Sequence, residues 1–166
     1  RYPGGKRKIR NIINSKMLEL VKSYDEPLQY REPFFGGGSI GLLFLPQSVT
    51  TNSIWINDKD KALCCLWNSI INYPKELVEA VEKFKPSVEQ FFSIKEELLN
   101  LNIMPTTKEK IVDIAIKKLA IHQISFSGLG TKSGGPLGGK KQESKYGVDC
   151  RWSPAYIIKK IYILSE

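Results

Sequence analysis

Two stretches of this chain combine residue types and spacings that could do chemistry. The first is residues 30–41, Tyr-Arg-Glu-Pro-Phe-Phe-Gly-Gly-Gly-Ser-Ile-Gly, where a half-apolar run stops at three glycines and passes through Ser39 into Ile40, Leu42, Leu43, Phe44 and Leu45. That order predicts a strand, a glycine turn and a helix. Glycines at such a turn let backbone amides approach a ligand where a Cβ would collide, and the helix start offers unpaired N–H groups. Many α/β units turn on glycine for packing alone, so either reading is open at this point. Asp58 follows a second predicted strand, Ser53-Ile54-Trp55-Ile56-Asn57. It lies about twenty residues beyond Gly36, the offset at which a carboxylate accepts hydrogen bonds from an adenosyl ribose. It is equally suited to capping a helix over Lys59 to Ile71, and it can do both.

The second stretch is residues 125–151, with glycines at 128, 130, 134, 135, 138 and 139. Here Lys132, Lys140, Lys141, Lys145 and Arg151 outnumber Glu143 and Asp149. A flexible basic loop with an aromatic, Phe126, suits a surface that orders on nucleic acid; the alternative is a disordered linker. No P-loop pattern occurs. Near the N-terminus, Lys6, Arg7, Lys8 and Arg10 lead a helix expected over Lys6 to Val21, with Ile9, Ile12, Ile13, Met17, Leu20 and Val21 at helical spacing. Cations there oppose the helix dipole, so a phosphate or carboxylate ligand explains them, as does solubility.

The elements that must hold these stretches are helical from Pro74 onward. Pro74 and Pro86 open two helices, and Thr106 with Glu109 forms a capping box ahead of a third. Successive helices without strands between them indicate an inserted lobe and not a continued βαβ alternation. His122, the only histidine, ends the third helix's apolar stripe and reads as a packed side chain. Ser153 and Pro154 start a last helix.

With 166 residues and 18.8 kDa, one domain with an appended lobe is expected. Three cysteines without C-x-x-C spacing favour a reducing, cytoplasmic setting and argue against a zinc site. No run is long enough for a membrane span, and the N-terminal residues are no signal peptide. A net charge of +8 and a pI near 9.3 point to a polyanion, or to no more than a lysine-rich surface.

Four motifs in order resemble the Dam-like (D12 class) adenine-specific DNA N6-methyltransferase family. Tyr2-Pro3-Gly4-Gly5-Lys6 is similar to its aromatic-x-Gly-Gly-Lys opening, and Glu32-Pro33-Phe34-Phe35-Gly36-Gly37-Gly38-Ser39 to its Glu-Pro-Phe-x-Gly-x-Gly-Ser cofactor loop. Asn57-Asp58 resembles the acidic position after the second strand, and Ser125-Phe126-Ser127-Gly128-Leu129 the Phe-Asn-Gly-Leu element of a DNA-contacting hairpin. The resemblance implies an α/β fold, a partial Rossmann-like S-adenosylmethionine-dependent methyltransferase core over 1–73. A helical target-recognition lobe with its basic loop would follow over 74–151, and the return to the core would start over 152–166. It implies cofactor contacts from Tyr2, Pro3, Gly4, Lys6, Glu32, Phe34, Phe35, Gly36, Gly38, Ser39 and Asp58. Lys6 suits the methionine carboxylate and Asp58 the ribose hydroxyls. Contacts to duplex DNA are expected from Arg7, Phe126, Ser127, Leu129, Lys132, Lys140 and Lys141, and no metal is required.

Two departures matter. No Asp-Pro-Pro-Tyr or Asn-Pro-Pro-Tyr occurs in the 166 residues, although methyl transfer in the resembled family needs that tetrapeptide to hold a flipped adenine. The chain is therefore expected to be the N-terminal part of such an enzyme and inactive alone; the alternative is a non-catalytic module that binds S-adenosylmethionine or nucleic acid. Ser127 also stands where the family has Asn, a shorter side chain that cannot grip a base edge bidentately. A GATC target is therefore not inherited, and the lysines are expected on phosphates.

Overall fold

The structure, a computed structural model, describes residues 5–47 and 51–166. Its chain contacts divide it into two units, Arg1–Lys59 and Asp60–Glu166.

In the first unit, α1 (Arg10–Val21) leads to β1 (Leu28–Glu32), the glycine turn and the single-turn helix α2 (Gly41–Phe44), followed by β2 (Thr51–Ile56). β1 and β2 pair in parallel, with Tyr30 opposite Ile54 and Glu32 opposite Ile56. The ladder continues past the strands: the Asn57 N–H donates to Glu32 O at 3.0 Å and the Phe35 N–H to Asn57 O at 2.9 Å. Both chain segments therefore leave the sheet side by side at its carboxyl end. Tyr30, Phe35, Ile40 and Phe44 form the small core, with the Tyr30 and Phe44 rings stacked at 5.4 Å.

The helix expected from Lys6 begins at Arg10, because residues 7–9 form a turn in which the Ile9 N–H donates to Lys6 O at 3.1 Å. The apolar stripe is narrower than its spacing implied. Ile13, Met17 and Val21, four residues apart, are half-buried, whereas Ile12 and Leu20 are 68% and 60% exposed. The core beneath α1 is too small to cover a wider face.

The second unit is helical: α3 (Lys61–Asn72), α4 (Pro74–Lys83), α5 (Val88–Leu99), α6 (Lys108–Ile124) and α7 (Pro154–Ser165). Leu77, Val81, Ile114 and Ala115 are fully buried where α3, α4, α6 and α7 meet, and Phe91, Ile94, Ile121 and Ile124 fill a second cluster under α5. Asp60, two residues after the expected cap Asp58, caps α3 by accepting from the Leu63 N–H at 3.1 Å. Two other helix starts also shift: α5, expected to open at Pro86, begins at Val88 with Ser87 as its cap, and Thr107, not Thr106, caps α6 through the Lys110 N–H at 3.4 Å. Among the described residues no helix is long and apolar enough to cross a membrane.

The glycine-rich stretch after α6 is folded, not open. The Leu137 N–H donates to Ile124 O at 2.7 Å and the Phe126 N–H to Gly135 O at 3.0 Å, closing a bridge between Ser125 and Pro136. Buried Ser125 accepts from the Gly130 N–H at 2.9 Å, and buried Ser133 donates to Gly135 O at 2.7 Å. Gln142 donates to Leu137 O at 2.9 Å and accepts from the Val148 N–H at 2.7 Å, fastening the later part. The small polar residues that make this stretch look like a linker supply hydrogen bonds that larger side chains would obstruct.

Candidate functional site

The glycine turn is held by bonds within the chain. Its first glycine, Gly36, has φ +55°, in the left-handed region that favours glycine, and its N–H donates to Asp58 Oδ2 at 2.8 Å. The Gly38 N–H donates back to Phe35 O at 2.9 Å, so the chain reverses within four residues. Gly38 has φ +66°, which favours glycine at this position, and a Cβ there would lie 2.8 Å from Leu42 Cδ1. Glu32 Oε2 accepts from the Tyr30 hydroxyl at 2.6 Å and from the Gly41 N–H at 3.2 Å. Burial first, then the bond to Glu32 and its charge, push the Tyr30 hydroxyl above its usual range, so it remains a donor.

These contacts leave a cleft of about 180 Å³ at the carboxyl end of the parallel pair. Lys6, Glu32, Phe34, Gly36, Ser39 and Asp58 line it, with Gly5, Phe35, Gly37 and Ile40 completing the wall. Phe34 is 75% exposed, a large apolar face with no packing duty, and Phe35 is buried beneath. The crevice outside the carboxyl ends of parallel strands is where open α/β sheets bind ligands. A cation, an exposed aromatic ring, a carboxylate and a tight backbone turn suit a ligand carrying a carboxylate, an apolar ring and a diol.

Of the expected cofactor residues, Lys6, Glu32, Phe34, Phe35, Gly36, Ser39 and Asp58 come together here, while Tyr2, Pro3 and Gly4 lie outside the described residues. Gly38 does not line this cleft. It lines an adjoining one of about 280 Å³ with Arg7, Arg10, Gly37, Ser39, Leu42 and Leu43. Arg10, singled out in the sequence among the cations that a phosphate or carboxylate ligand explains, lines this second cleft; Tyr30 and Gly41 are the additions that site reasoning from sequence missed. The alternation Tyr30-x-Glu32 in a strand, which points both side chains to one face, was the available signal for the first.

In the second unit, Phe126, Ser127, Leu129 and Lys132 share two successive tight turns, Phe126–Gly128 and Gly130–Lys132. Phe126 and Leu129 are 62% and 41% exposed, and Ser127 holds φ +56°, a conformation that Asn or Gly adopts more readily. Lys140 Nζ stands 5.2 Å from the Phe92 ring centroid, and Lys141 is exposed. His122 anchors the turns from beneath: its Nδ1 is 3.1 Å from Gly128 O, and a Cβ on Gly130 would lie 2.8 Å from its Cε1. Burial lowers its pKa, with the Gly128 bond opposing. The neutral ring then donates from Nδ1 and serves packing.

Residues 2–132 match the D12 class N6 adenine-specific DNA methyltransferase family. The chain belongs to that family. No curated protein matches it. The family match covers the glycine turn, Asp58 and the paired tight turns, and stops before Lys140, Lys141 and α7. Members of a D12 class methyltransferase family act on DNA adenine and, as methyltransferases in general, draw the methyl group from S-adenosylmethionine.

Proposed function

We propose that this chain is the S-adenosylmethionine-binding and part of the DNA-recognition portion of a DNA adenine N6-methyltransferase. The observation that carries the reading is the Gly36 N–H to Asp58 bond of 2.8 Å, which couples the glycine turn to the carboxylate after the second strand. That bond fixes the orientation of the Asp58 carboxylate, which accepts from a ribose diol. Lys6 takes the methionine carboxylate as a flexible point charge, and Phe34 offers its exposed ring to the adenine. Gly36 and Gly37 let the backbone close on the cofactor. When bound, the cofactor supplies a sulfonium methyl group.

In this reading residues 1–73 are the leading part of a Rossmann-like core, and 74–151 form an inserted target-recognition lobe. Phe126 and Leu129 meet DNA there, with Ser127 beside them, while Lys132, Lys140 and Lys141 meet its phosphates. The target adenine is flipped, since its amine is out of reach inside a duplex. The 166 residues contain no Asp-Pro-Pro-Tyr, so they supply no acceptor for that amine and no ring to stack on the extruded base. Bound cofactor is therefore not spent by this chain alone. The same absence favours, as a second reading, a module that binds without transfer in any context.

Calorimetric titration of the chain with S-adenosylmethionine, followed by incubation with methyl-labelled cofactor and duplex DNA, tests both parts. Saturable binding with unlabelled DNA is expected. No binding overturns the cofactor reading, and label on adenine overturns the predicted inactivity.

A further inference from the structure

The cleft beside the cofactor turn carries its own chemistry. Arg10 is the first residue of α1 and Arg7 lies three residues earlier; both line this cleft together with Gly38 and Ser39. No acidic residue lines this cleft, and among the described residues neither guanidinium pairs with a carboxylate. Helix stability does not account for them. α1 has no acidic residue in its first turn and no side-chain N-cap, so two cations add to an already positive end. Solvation does not account for Arg10, which is half-buried. Two guanidiniums beside a hydroxyl and a glycine turn form a donor set for a tetrahedral anion, since arginine's fork matches phosphate oxygens bidentately.

We infer that this cleft takes one phosphodiester group of a DNA strand. The inference rests on the proposed function, which makes DNA the substrate, and extends it to a substrate subsite on the cofactor-binding unit. Gly37 and Ser39 form part of both clefts. One turn then has cofactor on one side and DNA backbone on the other, and the contact positions the strand without reading its sequence.

The test measures affinity for a short mixed-sequence duplex across a salt series, with wild type, R7Q/R10Q and R7K/R10K. S-adenosylmethionine affinity and thermal melting are recorded for each. R7Q/R10Q keeps side-chain length, and removing cations from a helix N-terminus leaves melting unchanged or slightly raised. The expected result is a log K against log salt slope shallower by about 0.9 in R7Q/R10Q, one phosphate's worth of counterions. R7K/R10K restores the slope, and cofactor affinity is unchanged in both. An unchanged slope in R7Q/R10Q overturns the inference while leaving the proposed function intact. So does a loss of cofactor affinity with DNA binding preserved, which would assign the arginines to the cofactor. Failure of the wild type to bind DNA overturns the proposed DNA role and this subsite together.

Discussion

The backbone N–H of Gly36 donates to the carboxylate of Asp58 at 2.8 Å, across 22 residues of sequence. Asp58 therefore has a structural duty beside its proposed one, and the two are separable. Asp58→Ala is expected to weaken S-adenosylmethionine binding by about 1.5–3 kcal/mol, the range of a charge-assisted hydrogen bond. Asp58→Asn retains an acceptor for Gly36 but loses the charge, so its loss should be smaller. Calorimetry on both variants decides. Equal affinity in all three proteins would leave Asp58 only the turn to hold.

Ser127 is one of two non-glycine residues with positive φ among the described residues. The left-handed conformation costs an ordinary L-residue about 1–2 kcal/mol, and Asn or Gly less. Ser127→Asn and Ser127→Gly should raise unfolding stability by about 0.5–1 kcal/mol, while Ser127→Val should lower it by at least about 1 kcal/mol. Urea denaturation reads all three, and a neutral Val variant would show the turn to be free to relax.

His122 gives folding a pH dependence whose sign follows from its burial. Its folded pKa lies below the ordinary value of 6.5, so the unfolded chain binds the proton more readily. Its contribution is unchanged above that value and becomes a growing penalty as pH falls below it. As the only histidine, it is the chain's one side chain with an ordinary pKa in that range. Stability measured from about pH 8 to about pH 5 should fall more steeply for wild type than for His122→Gln. Parallel curves would assign the slope to other groups.

Lys118 is nearly inaccessible on α6 and donates to Asp60 Oδ2 at 2.5 Å, the residue that caps α3. Removing the ammonium by Lys118→Ala strips a capping carboxylate of its cation and leaves a void, at a cost of about 1–3 kcal/mol given that Asp60 is partly solvated. Lys118→Met fills the space and should cost less. Denaturation midpoints that rank Ala at or above Met would contradict this account.

The elements most legible in the sequence were those set by local pattern. Three glycines after Tyr30 to Phe35 announced the turn, and Pro74 with Leu77 and Val81 announced α4 and its buried face. The caps were less legible because like residues close together compete on nearly equal terms: Thr106 with Thr107, Asp58 with Asp60. Backbone angles that packing determines chose between them. The folding of residues 125–151 was hidden for a related reason. Ser125, Ser133 and Gln142 stabilise it through bonds to particular backbone groups, and composition does not encode which groups come within reach. In the cleft at the carboxyl end of the strands the lining residues stood in the motifs, whereas Tyr30 and Gly41 entered through a carboxylate they share.

That shared carboxylate bears on the timing of binding. Glu32 is satisfied by Tyr30 and Gly41 from within the chain, so under the proposed function the turn is held by its own bonds and not by the cofactor. The entropy of ordering it is lost during protein folding and does not weaken association. Under the proposed function, cofactor uptake by such a cleft is expected as a single encounter whose rate depends on diffusion and orientation.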